Sequence, residues 1–267
     1  MPRAIWNGSI SFGLVTIPVK LYGATDDKDV SFRQVHGEDG GRVRYQRVCE
    51  KCGEVLQWGD IAKGFEASDG RMAVLTDEDF SSLPLRTLKT VDVVQFVDEA
   101  EIDDAYLQKS YYLEPQNMGQ KPYVLLREAL AKQDKVAVVK VALRQRESLA
   151  LIRPKDDLLV MHTMFWPDEL RDGEFAKPSD EVTVSDAELE MANLLIKQLE
   201  GTFDPEQYTD SYREAITEVV EAKLAGAPIP EAAGEEEGAG EVVDLMATLK
   251  ASVEAAKKRR AGAKKAS

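Results

Sequence analysis

Val30-Ser31-Phe32-Arg33-Gln34-Val35-His36, a turn Gly37-Glu38-Asp39-Gly40-Gly41, and Arg42-Val43-Arg44-Tyr45-Gln46-Arg47-Val48-Cys49-Glu50-Lys51-Cys52-Gly53 open a segment, residues 30–66, that decides how the fold is read. Side chains alternate across a strand, so Arg42, Arg44 and Gln46 share one face while Val43, Tyr45 and Arg47 share the other. The turn Glu38-Asp39-Gly40-Gly41 suits a hairpin. Neither face is cleanly apolar, so this ribbon is not a core strand. It reads as an arm that leaves the body of the protein and carries arginine to a target. An extended arm of about 12 residues reaches roughly 40 Å at ~3.3 Å per residue. That exceeds the ~12 Å width of a DNA major groove, so such an arm can cross a duplex.

Strand patterns lie on both sides of the arm. Residues 5–22 alternate, with Ile10, Phe12 and Leu14 on one side and Ser9, Ser11 and Gly13 on the other; Pro18, which has no amide hydrogen, marks an edge or a bulge. After the arm, residues 63–74 return through a turn at Asp69-Gly70. Thr76 is a good N-cap for a short helix whose first residues, Asp77 to Asp79, suit its positive end. Strands are expected at residues 90–97, 111–113, 137–143, 147–154 and 158–165. A helix at 121–132 presents Tyr123, Leu126 and Leu130 on one side. The acidic residues 98–103 read as a solvated outer face, and Arg144-Gln145-Arg146 as a basic turn. Several strands punctuated by turns and interrupted by one helix make an open or closed β-barrel.

From Ser185 the period becomes helical. Leu189, Ala192, Leu195, Ile196 and Leu199 recur at helical spacing, Ser185 and Glu188 form a capping box, and Gly201 ends the helix. A second helix over 208–225 carries Tyr212, Ala215, Ile216, Val219 and Val220. Residues 226–240, rich in Gly, Ala, Pro and Glu, form a linker unable to bury a core. Beyond it Val242, Val243, Leu245, Met246, Leu249 and Val253 form an isolated amphipathic stripe, of a kind that docks on a partner or back on its own body.

The 267 residues carry a net charge of −14, 43% hydrophobic and 31% charged residues. No apolar run approaches the ~18 residues of a membrane span, and Trp6-Asn7-Gly8-Ser9 breaks any leader pattern early, so a cytoplasmic protein is expected. Lys257, Lys258, Arg259, Arg260, Lys264 and Lys265 are six basic residues with no acid among them; of 34 basic residues, the other 28 face 48 acidic ones, a balance of −20. A body that acidic binds nucleic acid only if its cations gather on one surface. The basic tail itself attracts phosphate without sequence preference.

Ala4-Ile5-Trp6-Asn7-Gly8-Ser9-Ile10-Ser11-Phe12-Gly13-Leu14-Val15-Thr16-Ile17-Pro18-Val19-Lys20-Leu21-Tyr22 resembles the opening of the bacterial Ku proteins, the DNA-end-binding factors of non-homologous end joining. The likeness continues through Cys49-Glu50-Lys51-Cys52-Gly53, Tyr111-Tyr112-Leu113-Glu114-Pro115 and Phe203-Asp204-Pro205-Glu206-Gln207-Tyr208, in the expected order over almost the whole chain. This resemblance implies a mixed α+β fold: a Ku-type β-barrel body with an inserted β arm, or bridge, and a helical C-terminal dimerisation arm, two chains forming a homodimeric ring. It implies a core at 1–184 with the bridge at about 30–66, a helical arm at 185–225 for dimerisation and ligase docking, an acidic linker at 226–241, and an amphipathic helix with a basic tail at 242–267. The implied function is non-enzymatic: binding of duplex DNA ends and recruitment of the ATP-dependent DNA ligase D, in a cytoplasmic, nucleoid-associated protein.

Candidate phosphate contacts are Arg42, Arg44, Arg47, Lys51, Lys63, Arg144 and Arg146, with Lys257, Lys258, Arg259, Arg260, Lys264 and Lys265 in the tail. Candidate dimer and ligase contacts are Leu195, Leu199, Phe203, Tyr208, Tyr212, Ile216 and Val219. Cys49 and Cys52 have metal-ligand spacing, but a structural zinc site takes four ligands. With only His36 and His162 besides, and no second Cys-x-x-Cys, no metal and no cofactor are expected. Phosphate-binding, nucleophile-elbow and His-Glu-x-x-His motifs are absent, and Asp103-Asp104 and Asp156-Asp157 are adjacent pairs that point apart, so no catalytic residue is assigned. The alternatives are a protein-interaction scaffold acting through residues 242–253, with incidental DNA contact, and a zinc-dependent nucleic-acid enzyme.

Overall fold

Gly13 takes a left-handed φ of 60° and turns β1 (Trp6–Phe12) back into β2 (Val15–Gly23), with Ile10 opposite Ile17. This computed structural model describes residues 2–83, 87, 89–143, 146–229 and 245–266, apart from the side chains of Ser81 and 259–266. Leu14, read as a strand residue, instead occupies the turn and is 104% exposed, because the left-handed residue before it ends the strand. The chain then makes its excursion through β3 (Arg47–Val48), β4 (Val55–Leu56), β5 (Lys63–Glu66), β6 (Met72–Leu75) and the short helix α1 (Asp77–Ser81). It returns as β7 (Thr90–Asp98), β8 (Leu107–Pro115), α2 (Gln120–Gln133), β9 (Lys135–Leu143), β10 (Arg146–Lys155) and β11 (Leu158–Met164).

Seven strands close into a barrel in the order β1-β2-β8-β11-β10-β9-β7. The seam is the parallel pairing of β7 with β1, where Ser9, Ile10 and Ser11 stand opposite Thr90, Val91 and Asp92. Every other pair is antiparallel. Alternation sends Ile10, Ile17, Val19, Leu21, Val139, Val141, Ile152, Leu159 and Met161 inward, all fully buried. Each large aliphatic side chain so buried contributes about 1.5–3 kcal/mol. Helix α2 adds Tyr123, Leu126 and Leu130 to the same core, as its periodicity predicts. Pro18 stands opposite Ser9 on β1, one residue before β2 begins to pair with β8 at Val19. Its missing amide hydrogen therefore interrupts no ladder on that side.

The acidic residues 98–103 are more than a solvated face. Ile102 packs, with Tyr106 and Leu107, on a second cluster made of Val136, Val138, Leu151 and Met164. Around it the carboxylates pair across the barrel wall: Lys135 Nζ donates to Asp98 Oδ1 at 2.6 Å, and Arg153 binds Glu99. Lys135 holds the Asp98 carboxyl below its ordinary pKa, chiefly by that hydrogen bond.

The contacts divide the chain into two units, Met1–Lys28 with Arg33–Asp172 and Asp29–Phe32 with Gly173–Ser267. In the second, α3 (Asp186–Leu199) begins with the predicted capping box, Glu188 N–H donating to Ser185 Oγ at 3.4 Å and Ser185 N–H to Glu188 Oε2 at 2.8 Å. Helix α4 (Ser211–Ala225) starts three residues later than its apolar period suggests, because Asp210 accepts from the Arg213 amide at 3.0 Å and caps it there. Of the linker expected at 226–241, residues 230–241 lie outside the described residues, as do Val242 and Val243. Helix α5 (Leu245–Ala266) packs on α3 and runs through the residues of the expected basic tail, which therefore stand on a helix. Val253 and Ala256 are buried, while Met246 and Leu249 are half-buried.

Candidate nucleic-acid interface

No residue between 31 and 74 is buried, so this part of the excursion between β2 and β7 has no core of its own. The expected hairpin turn forms around Gly40, whose φ is 71°: His36 N–H donates to the Gly41 carbonyl at 2.8 Å, and Val35 bridges Arg42. The long strand expected over residues 42–48 is otherwise reduced to Arg47–Val48, paired with Val55–Leu56. Between those strands the Cys-x-x-Cys-Gly sequence makes a tight turn. Cys49 N–H donates to the Glu54 carbonyl at 2.9 Å, Gly53 N–H to the Cys49 carbonyl at 2.8 Å, and Gly53 takes a φ of 72°. The second hairpin turns at Gly70, as Asp69-Gly70 predicts, and the Thr76 cap launches α1.

Arg42, Arg44, Arg47, Lys51 and Lys63 are all exposed on this arm. Two of them lie on aromatic rings that the sequence reading overlooked. The Arg47 guanidinium stands 4.5 Å from the centroid of Trp58, and Lys63 Nζ 4.2 Å from that of Phe80. The signal for the first was available: Arg47 and Leu56 are in register, and Trp58, two residues on, returns to the same side. By contrast Arg71 is taken up by Asp69 at 2.6 Å. Arg146 begins β10 instead of lying in a basic turn, and its guanidinium binds Glu169. The Glu169 carboxyl lies below its ordinary pKa, held first by the Trp166 amide and then by Arg146. Arg144 falls outside the described residues. Lys257 and Lys258 are exposed on α5, whereas the side chains of Arg259, Arg260, Lys264 and Lys265 are outside the described part.

The Cys52 amide and thiol, hydrogen-bonding to Cys49, hold the Cys49 thiol below its usual pKa. His36 Nδ1 faces Asp39 Oδ1 at 3.1 Å. Among the described residues no group of three or more His, Cys, Asp and Glu side chains converges as a metal site would.

The candidate dimer contacts occupy the second unit. Leu199, Phe203, Tyr208 and Tyr212 are exposed, and Leu195, Ile216 and Val219 half-buried. Phe203 stacks on Tyr208 with centroids 5.8 Å apart. No helix among the described residues is long and apolar enough to cross a membrane.

A closed seven-stranded barrel interrupted by an uncovered, cation-bearing arm is the architecture of a known class. The family model for the Ku70/Ku80 beta-barrel domain matches residues 11–191. The chain is 47% identical to "Non-homologous end joining protein Ku 2" of Saccharopolyspora erythraea, over 98% of this chain and 87% of that one. It is 51% identical to "Non-homologous end joining protein Ku" of Frankia casuarinae, over 97% of this chain but 65% of that longer one. With the protein of the same name from Mycobacterium tuberculosis (strain H37Rv) it shares 42% identity over 96% of both chains. The chain belongs to the Ku family.

Proposed function

We propose that this chain is a non-enzymatic DNA-end-binding protein of bacterial non-homologous end joining, acting as a homodimeric ring. The barrel body at 1–184 cradles the duplex, the arm at about 30–66 arches over it, and residues 185–225 join the two copies and receive the ATP-dependent DNA ligase D. The observation that carries this reading is the uncovered arm: Arg42, Arg44, Arg47, Lys51 and Lys63 are exposed on a segment without a single buried residue. Such a segment is stabilised by what it embraces. Its cations meet phosphate oxygens and release counterions, which gives affinity without reading bases. A ring has no side entry, so only a free end can be threaded, and a break is recognised by topology alone.

Purified protein is expected to retain a linear duplex and to fail on a covalently closed circle in a gel shift. Equal retention of both would overturn the ring. Affinity is expected to fall with salt, with a log–log slope of about −0.9 per phosphate neutralised. Deleting residues 257–267 is expected to weaken binding while leaving the preference for ends intact.

A further inference from the structure

We propose that Trp58 and Phe80 are positioning residues, holding the Arg47 guanidinium and the Lys63 ammonium where the arm presents them to the phosphate backbone. The proposal rests on the DNA-end-binding reading above. Both cations lie within the ~6 Å at which a ring face attracts a positive charge, at 4.5 Å and 4.2 Å. In each case the fold brings the ring in by local means. After β4 the chain enters a 3-10 turn, Trp58–Asp60, closed by Gln57 N–H donating to Asp60 Oδ2 at 3.0 Å. That turn fixes the indole on the side of the ribbon occupied by Arg47. In the second hairpin Lys63 stands opposite Leu75; the next residue, Thr76, caps α1, and Phe80 on that helix turns back to Lys63.

Trp58 is 75% exposed and has no core to fill. The Arg47 guanidinium lies over its ring. A long cation loses rotamer freedom when it engages phosphate, and a ring that already restricts it removes part of that cost in advance. Stacking also differs in kind from an ion pair. A carboxylate occupies the N–H donors and offsets the charge, as Asp69 does for Arg71 and Glu169 for Arg146. A ring face leaves the donors at the edge of the guanidinium directed outward, with the charge intact.

A double-mutant cycle on the full chain with a short linear duplex tests this. Trp58→Ala is expected to weaken binding about two- to five-fold per arm, the fold-change of an exposed cation–π contact. Trp58→Phe is expected to recover part of that loss. Arg47→Ala is expected to weaken binding and to lower the salt slope by about 0.9 per arm. In the Arg47→Ala background, Trp58→Ala is expected to add nothing, and thermal unfolding of the variants is expected to match wild type. An equal cost of Trp58→Ala in both backgrounds, or no cost in either, overturns the positioning role while the DNA reading stands. Failure of the wild-type chain to retain linear duplex overturns that reading, and the positioning role falls with it.

Discussion

Tyr123 accepts a hydrogen bond from the Leu159 amide at 2.6 Å and thereby fastens helix α2 to the start of strand β11. The same hydroxyl donates to the Leu113 carbonyl on β8 at 2.8 Å, so one side chain links three elements inside the core. Tyr123→Phe removes the bridge without changing the volume. It leaves a buried amide and a buried carbonyl to find other partners, which costs about 1–3 kcal/mol for each group left unsatisfied. A urea midpoint unchanged from wild type would show that the bridge contributes nothing.

Gly8 lies where a Cβ would stand 2.2 Å from the Trp6 ring and 2.4 Å from the Lys89 carbonyl oxygen. That carbonyl already accepts from Ser9 N–H at 3.1 Å, beside the β1–β7 seam. Gly8→Ala must displace backbone as well as the indole, so destabilisation by about 1–3 kcal/mol is expected, read by denaturant unfolding. Gly59→Ala is the control, since a Cβ there meets nothing within 4 Å.

His162 is 9% exposed; its Nδ1 lies 3.0 Å from Ser110 Oγ, and its Nε2 has no partner. Desolvation, reinforced by Arg153 and Lys155 and opposed by Glu99, pushes its pKa below the ordinary 6.5. The unfolded chain therefore takes up a proton at this residue at a higher pH than the folded one. Stability from this site is fully present above pH 6.5 and declines as the pH falls through 6.5 toward the lowered value. Unfolding of wild type and His162→Gln is expected to diverge in that window, with wild type the more acid-sensitive. Parallel curves would refute the assignment.

Val253, 3% exposed, is the most deeply buried of the described side chains of α5. Val253→Asp places a carboxylate at a buried position of the helix that packs on α3 and removes burial of about 1.5–3 kcal/mol. Limited proteolysis is expected to cut α5 sooner in this variant while the barrel fragment survives at the wild-type rate. Identical digestion patterns would mean that the pairing is not held by this stripe.

Much of this structure is legible in local chemistry. The caps at Thr76 and Ser185, the turn at Asp69-Gly70 and the Tyr123-Leu126-Leu130 stripe depend on neighbours a few residues apart, and all are present. What escapes such a reading depends on distant partners. Nothing around Ser9 announces a parallel partner at Thr90, and Glu99 gives no sign of Arg153. The arm misleads for a different reason. Alternation over residues 42–48 fits a strand, but a strand also needs a neighbour, and the tight turn at Cys49–Gly53 provides one only for Arg47 and Val48. At the interface, the type and exposure of the arm cations follow from sequence. Which of them stack on rings depends on contacts such as Arg47 with Trp58 and Lys63 with Phe80, and Arg146 on the barrel meets Glu169, 23 residues away.

The seam between β1 and β7 also sets the order in which this molecule can be made. Thr90 must leave the ribosome before its partner at Ser9 is satisfied, and β8 later still before β2 is, so the amino-terminal hairpin waits, with both edges open, while the whole excursion is synthesised. Nucleation by contacts this remote is slow. The nascent chain thus passes through an interval in which an unpaired strand is available to the wrong partner, an interval that would lengthen with every residue inserted into the arm.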